Sequence, residues 1–218
     1  MIWTLRKKIL VGYSVVLALM IAVLIWSLFS LLGLGEASDA ILRENYRSIL
    51  AADNMIGAIE RQDSAILLII LGYNNEGSRQ FRENESYFLQ WLARAKDNIT
   101  EEGESQIVNS IDTGYSYYLT SFSKLVQLYQ TDYQRAARFY RDTVLPYFKS
   151  IRDGCVELRQ LNQDAMFRVS DRAKYIAARD TWSMAIFGLT AILIGIGFSL
   201  TLSNRLVTPF KQIMQATM

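Results

Sequence analysis

Two runs without a charged residue, Ile9–Gly35 and Thr181–Asn204, bracket a polar middle that holds most of the charge. A helix needs roughly 20 apolar residues to cross a bilayer core, and both runs are long enough. Between them the apolar positions follow helical spacing. Ile49, Ala52, Ile56, Ile59, Ile66 and Ile70 recur at steps of three and four with one gap, which is one face of a packed helix. "GYNNEG" then reads as a turn. A second helix offers Phe81, Phe88, Trp91, Leu92, Ala95 and Ile99, and "TEEGES" turns the chain again. A third carries Ile107, Ile111, Tyr115, Tyr118, Phe122, Leu125 and Tyr129. The last runs through Phe148, Ile151, Cys155, Leu158, Leu161, Ala165, Val169 and Ile176 into the second apolar run. No stretch alternates as a strand does. The pattern predicts an all-α chain, with an antiparallel up-down-up-down four-helix bundle continuous with two transmembrane helices.

The expected division is a cytoplasmic start (1–8), a first span (9–32), an extracytoplasmic bundle (33–180), a second span (181–203) and a last segment (204–218). Arg6, Lys7 and Lys8 also fit the basic start of a signal peptide. The apolar core of such a peptide is about 7–15 residues, shorter than this run, which therefore reads as an uncleaved anchor. Basic residues flank the outer ends of both runs (Arg6–Lys8, then Arg205 and Lys211), which predicts a two-pass protein with cytoplasmic termini and an exported middle segment. Trp26 and Trp182 are expected at the outer interface, where indole rings settle. Small residues on one face of each run (Ser14, Ala18 and Ala22; Ala185, Gly188, Gly195 and Ser199) predict close helix association.

A height rule orders the bundle. The first and last helices leave the membrane near residues 35 and 180, so residues at equal height have numbers adding to about 215. This predicts that the last helix starts near Asp142, capped by Thr143, with Pro146 in its first turn. Asp132–Arg141 becomes a separate short helix at the distal tip.

Composition narrows the chemistry. The net charge of +2 gives no sign of nucleic acid as a partner. With no histidine, His-based catalysis and most zinc sites are excluded within this chain, and no cofactor is expected in it. Cys155 is the single cysteine, a core residue or a disulfide partner across a dimer. Two polar groups stand on expected inner stripes. Asp63 is level with Arg152 by the height rule, so the two form an ion pair or contribute to a ligand site, unless the stripe is rotated and Asp63 faces water. Asn162 is level with Asp53 and Asn54, a structural polar layer that would set helix register. Arg43 and Arg47, one turn apart, could converge on an anionic ligand, particularly across a homodimer, or simply face water. Arg138 and Arg141 form a second such pair.

The C-terminal "NRLVTPFKQIMQATM" resembles the first helix of a HAMP module, the relay that follows the last span of bacterial receptors. Arg205, Val207, Pro209, Phe210 and Ile213 carry the likeness, with Phe210 where the family usually has Leu. Together with Trp182 these residues are the expected signal relay. "ENYRSILAADNMIGAIERQDSAIL" and "LRQLNQDAM" resemble the periplasmic four-helix sensors of two-component histidine kinases, the KinB-like group in particular. Chemoreceptors share that architecture. The resemblance implies that the chain is the sensor half of a longer, dimeric receptor that binds a small-molecule or anionic ligand. It further implies a missing kinase domain using ATP and Mg, and a cytoplasmic response regulator. A methylated chemoreceptor output and a ligand-free dimerisation scaffold are the alternatives.

Overall fold

The computed structural model describes the backbone of residues 5–215 and the side chains of residue 10 and of residues 13–29 and 43–201. Among the described residues five α-helices follow one another: α1 (Leu5–Ile70), α2 (Asn74–Lys96), α3 (Glu104–Thr131), α4 (Tyr133–Phe139) and α5 (Leu145–Gln215). A π turn, Tyr140–Val144, joins α4 to α5. No strand occurs among the described residues. The chain divides into two units: Asp39–Ser170 is one, and the two ends of the chain make up the other.

Asp39–Ser170 is a four-helix bundle with its own core. The fully buried line of α1 holds Ala51, Ala52, Met55, Ala58, Ile59, Ala65, Ile66 and Ile69. Ile56 and Ile70, expected on that line, pack only partly against it. The alanines sit on the innermost line because small side chains let a neighbouring helix approach. Gly77 of α2 shows how closely: a Cβ there would lie 2.6 Å from the Ala65 carbonyl oxygen and 2.7 Å from Ile69 Cγ1. Aromatic rings fill the space between α2 and α3. Phe81 stacks on Phe122 with centroids 3.5 Å apart, and Phe88 on Tyr115 at 4.0 Å. α5 closes the core with Ile151, Cys155, Leu158 and Ala165. Cys155 is fully buried, so it is a core residue and not the dimer disulfide partner weighed above. Burial pushes its thiol up to about 12. Ile99, expected in the core, is 41% exposed, and Asn98 is buried in its place.

The distal end differs in detail from expectation. Asp132, extended at φ −154° and ψ 100°, caps α4 by accepting the Arg135 N–H at 3.0 Å. The short helix is therefore real, but it continues through the π turn into α5. Thr143 lies inside the π turn and caps nothing. The Leu145 N–H reaches back five residues to the Tyr140 carbonyl. Pro146 explains the wide turn: it has no N–H to give, and its ring crowds the carbonyl four residues back.

In the second unit, α5 is long and apolar enough to cross a membrane, with a mean hydropathy of 2.1 over the qualifying window and none of it buried. α1 carries a shorter apolar stretch, Tyr13–Phe29. Its side chains, such as Leu24 and Phe29, are exposed, as are Phe187 and Leu193 in α5. Apolar faces left bare on this scale mark contact with lipid or with another protein. Trp26 lies 6.4 Å from Phe187, ring to ring, and Trp182 is exposed. A Cβ on Gly195 would lie 4.0 Å from Val16 Cγ2, while one on Gly188 would meet nothing.

Candidate functional site

Three polar layers interrupt the bundle core. The first lies where α1 enters and α5 leaves it, and it is built on the α2–α3 loop. Glu104, the first residue of α3, is buried. Its Oε2 accepts the backbone N–H groups of Thr100 at 2.6 Å and Glu101 at 3.0 Å, and its Oε1 accepts Asn162 Nδ2 of α5 at 2.6 Å. On the other side, Asn98 Nδ2 donates to the Glu44 carbonyl and to Ser48 Oγ, both at 2.8 Å, and Ser48 donates back to the Asn98 carbonyl at 3.2 Å. Asn45 Nδ2 reaches Glu101 Oε1 at 3.3 Å, and Arg168 pairs with Glu101 at 3.5 Å. One loop is thus hydrogen-bonded to both α1 and α5. Buried polar groups persist when they are paired. This clasp satisfies nearly all of its own, with Asn162 Oδ1 left over.

Asn162 therefore does sit in a buried polar layer, but Asp53 and Asn54 are not its partners. Asp53 faces outward and pairs with Arg159 at 2.9 Å, and Asn54 accepts the Tyr87 hydroxyl at 2.7 Å. The physical reason is phase. α1 turns its alanine line inward, which swings both residues to the rim.

The second layer pairs the buried Gln62 with Tyr115, Nε2 lying 3.0 Å and Oε1 3.2 Å from the phenol oxygen. Burial, the larger effect, raises the Tyr115 pKa despite that hydrogen bond. Gln62 is a polar residue on the inner face of α1, one position before Asp63. The alanines at 51, 58 and 65 carried the signal for this phase, through their heptad spacing.

The third layer is distal. Asp63, half-buried, accepts the Tyr140 hydroxyl at 2.9 Å. Desolvation raises its carboxyl above the ordinary 3.8, and the hydrogen bond from Tyr140 only partly opposes this. The Tyr118 hydroxyl is buried with no hydrogen-bond partner and feels the Asp63 charge. The expected Asp63–Arg152 ion pair does not form. Arg152 pairs with Glu60 at 3.1 Å, both side chains half-exposed. The Glu60–Arg152 and Asp53–Arg159 pairs share one register, three residues from the one expected. Nearly one helical turn therefore separates the assumed heights of the two helices from the actual ones.

Arg43 and Arg47 are exposed on α1 and form no ion pair among the described residues. They do not come together with Asp63 and Arg152 into one site. Arg141 pairs with its neighbour Asp142 at 2.8 Å. The side chains of Arg205, Val207, Pro209 and Phe210 lie outside the described residues. Among the described residues no group of three or more Cys, Asp or Glu is placed to hold a metal ion.

Residues 2–174 match the family model for a four-helix-bundle sensory module for signal transduction. Comparison with curated proteins and with solved structures finds no match.

Proposed function

The chain belongs to the family of four-helix-bundle sensory modules for signal transduction, and from that premise we propose how it signals. The bundle stands outside the cytoplasm of a bacterial inner membrane. The apolar stretches of α1 and α5 both span the bilayer, and both termini are cytoplasmic. Exposed apolar faces at Tyr13–Phe29 and in α5 support this reading, as do the basic residues beyond each run.

A second copy completes the receptor. Tyr46, Leu50, Gly57 and Leu67 of α1, with Leu71 in the turn just after it, fall at heptad spacing along one outward stripe. Its four large residues are exposed, and Gly57 has open space above it. Such a stripe suits a parallel helix pair. Arg43 and Arg47 lie beside it, so a homodimer would gather four guanidiniums where an anionic or other small ligand can bind.

The observation that carries the mechanism is the clasp between the α2–α3 loop and the two helices. A stimulus that loosens or tightens it changes how α1 and α5 lie against each other, by shifts of about 1–2 Å. α5 passes the shift through the second span, which Trp182 anchors, to the HAMP-like residues Arg205, Val207, Pro209 and Phe210. The output we assign is a histidine kinase domain with its own ATP and Mg, acting on a response regulator.

The test is a hybrid of residues 1–218 with the output domains of a well-characterised HAMP-containing kinase. Asn98→Ala and Ser48→Ala should each change basal phosphorylation without ligand. Unchanged output from inserted, folded variants would overturn the relay. In membranes holding the native protein, ATP should label an acid-labile phosphohistidine, and methyl labelling in its place would move the output to a chemoreceptor.

A further inference from the structure

We propose that Asp63 is a proton-binding site whose occupancy sets the conformation of the π turn at Tyr140–Val144. This goes beyond the function assigned above and needs neither the kinase output nor the dimer.

The argument starts from hydrogen bonds. An ionised carboxylate inside a protein wants several donors or a nearby cation. Asp63 receives one donor, the Tyr140 hydroxyl at 2.9 Å. Among the described residues no Lys or Arg pairs with it, and Lys124 of α3 sits over the Phe139 ring instead. From α3 comes Tyr118, which feels the Asp63 charge, while Glu85 of α2 acts on Tyr115 in the neighbouring layer. On its own helix Glu60 is tied to Arg152 of α5, and from α4 Arg138 acts on Asp142 instead. The ionised form is therefore poorly stabilised, and burial lifts the carboxyl above its ordinary value. The neutral acid fits better. It still accepts from Tyr140, and it sheds the charge that burial penalises.

The proton matters because of what Tyr140 holds. It is the first residue of the π turn, and its carbonyl receives the Leu145 N–H five residues on. π turns inside helices are rare and often lie at functional positions. A bond from a phenol to an ionised carboxylate is roughly twice as strong as one to a neutral acid. Protonating Asp63 weakens the tie between α1 and the turn. Conversion of the π turn to α removes one residue's advance, a rotation of about 100° and a shift of about 1.5 Å for the α4 side. That is the size of a receptor switching motion.

The experiment uses the full chain in lipid nanodiscs, labelled with ¹³C at the aspartate carboxyls and followed from pH 3 to 8. The Asp63 signal, assigned by its loss in Asp63→Asn, should titrate above the ordinary carboxylate range. Hydrogen exchange at the amides of residues 144 and 145, corrected for intrinsic rate, should speed up as pH falls through the same midpoint. Tyr140→Phe should push that midpoint higher and abolish the pH-dependence of exchange. An Asp63 midpoint in the ordinary range, or π-turn exchange that follows no titration, would overturn the proposal. Should Asp63→Asn fail to fold, the wild-type exchange profile and Tyr140→Phe decide it alone.

Discussion

At the scale of single residues, buried polar atoms separate by whether they found a partner. Tyr115 has Gln62, whereas the Tyr118 hydroxyl is equally buried and has none. A buried, unpaired hydroxyl costs about 1–3 kcal/mol. Tyr118→Phe keeps the ring stack and deletes that atom, so it should stabilise the chain by about 1 kcal/mol in chemical denaturation at neutral pH. Tyr115→Phe should instead destabilise it. Asp63 sets a pH dependence of a definite sign. Its carboxyl is held above 3.8 mainly by burial, with Tyr140 partly opposing, so the folded chain binds that proton more tightly than the unfolded chain. Its contribution to stability is fully present below the unfolded value and is lost as pH rises through the folded one. Asp63→Asn should flatten this part of the pH–stability profile and be the more stable form at neutral pH, as measured by melting temperature across a pH series.

At the scale of elements, close approach decides more than hydrophobicity. α2 meets α1 at Gly77, where an added Cβ would run into the Ala65 carbonyl oxygen and Ile69. The clash is partly with backbone, which cannot rotate aside. Gly77→Ala gains about 1 kcal/mol of helix propensity, and overpacking costs about 1–3 kcal/mol. Net destabilisation is expected, visible as a lower denaturation midpoint. An unchanged or raised midpoint would mean that α2 docks more loosely than this. The π turn belongs to the same scale. Pro146 was legible as a first-turn proline, but a chain of letters does not show whether the residues before it cap a helix or widen one. Here the proline widens one, and the Asp63–Tyr140 hydrogen bond, between positions 77 residues apart, ties the widened turn to α1.

At the scale of the whole molecule, Asp39–Ser170 carries its own core and its own polar layers. Expressed alone as residues 39–170, it should be soluble and helical and should unfold cooperatively. A fragment that stays unfolded would place part of its stability in the apolar segments. Topology is checked separately. In a Cys155→Ala background, Glu76→Cys should react with an impermeant thiol reagent in spheroplasts and Met218→Cys should not. The reverse result would invert the orientation. Membrane association, the all-helical class and the number of bundle helices were readable from the letters, because hydropathy and the 3.6-residue period are properties of neighbours along the chain. The charge-free runs at 9–35 and 181–204 and the stripes through Ile59, Tyr115 and Cys155 needed no partner to be seen. The sites were not readable in this way. Whether Gln62 or Asp63 faces inward turns on 100° of helix phase, and the height of Arg152 turns on a shift of one turn between two helices. Only the packing of small residues across helices, Ala65 against Gly77 above all, settled which polar groups meet.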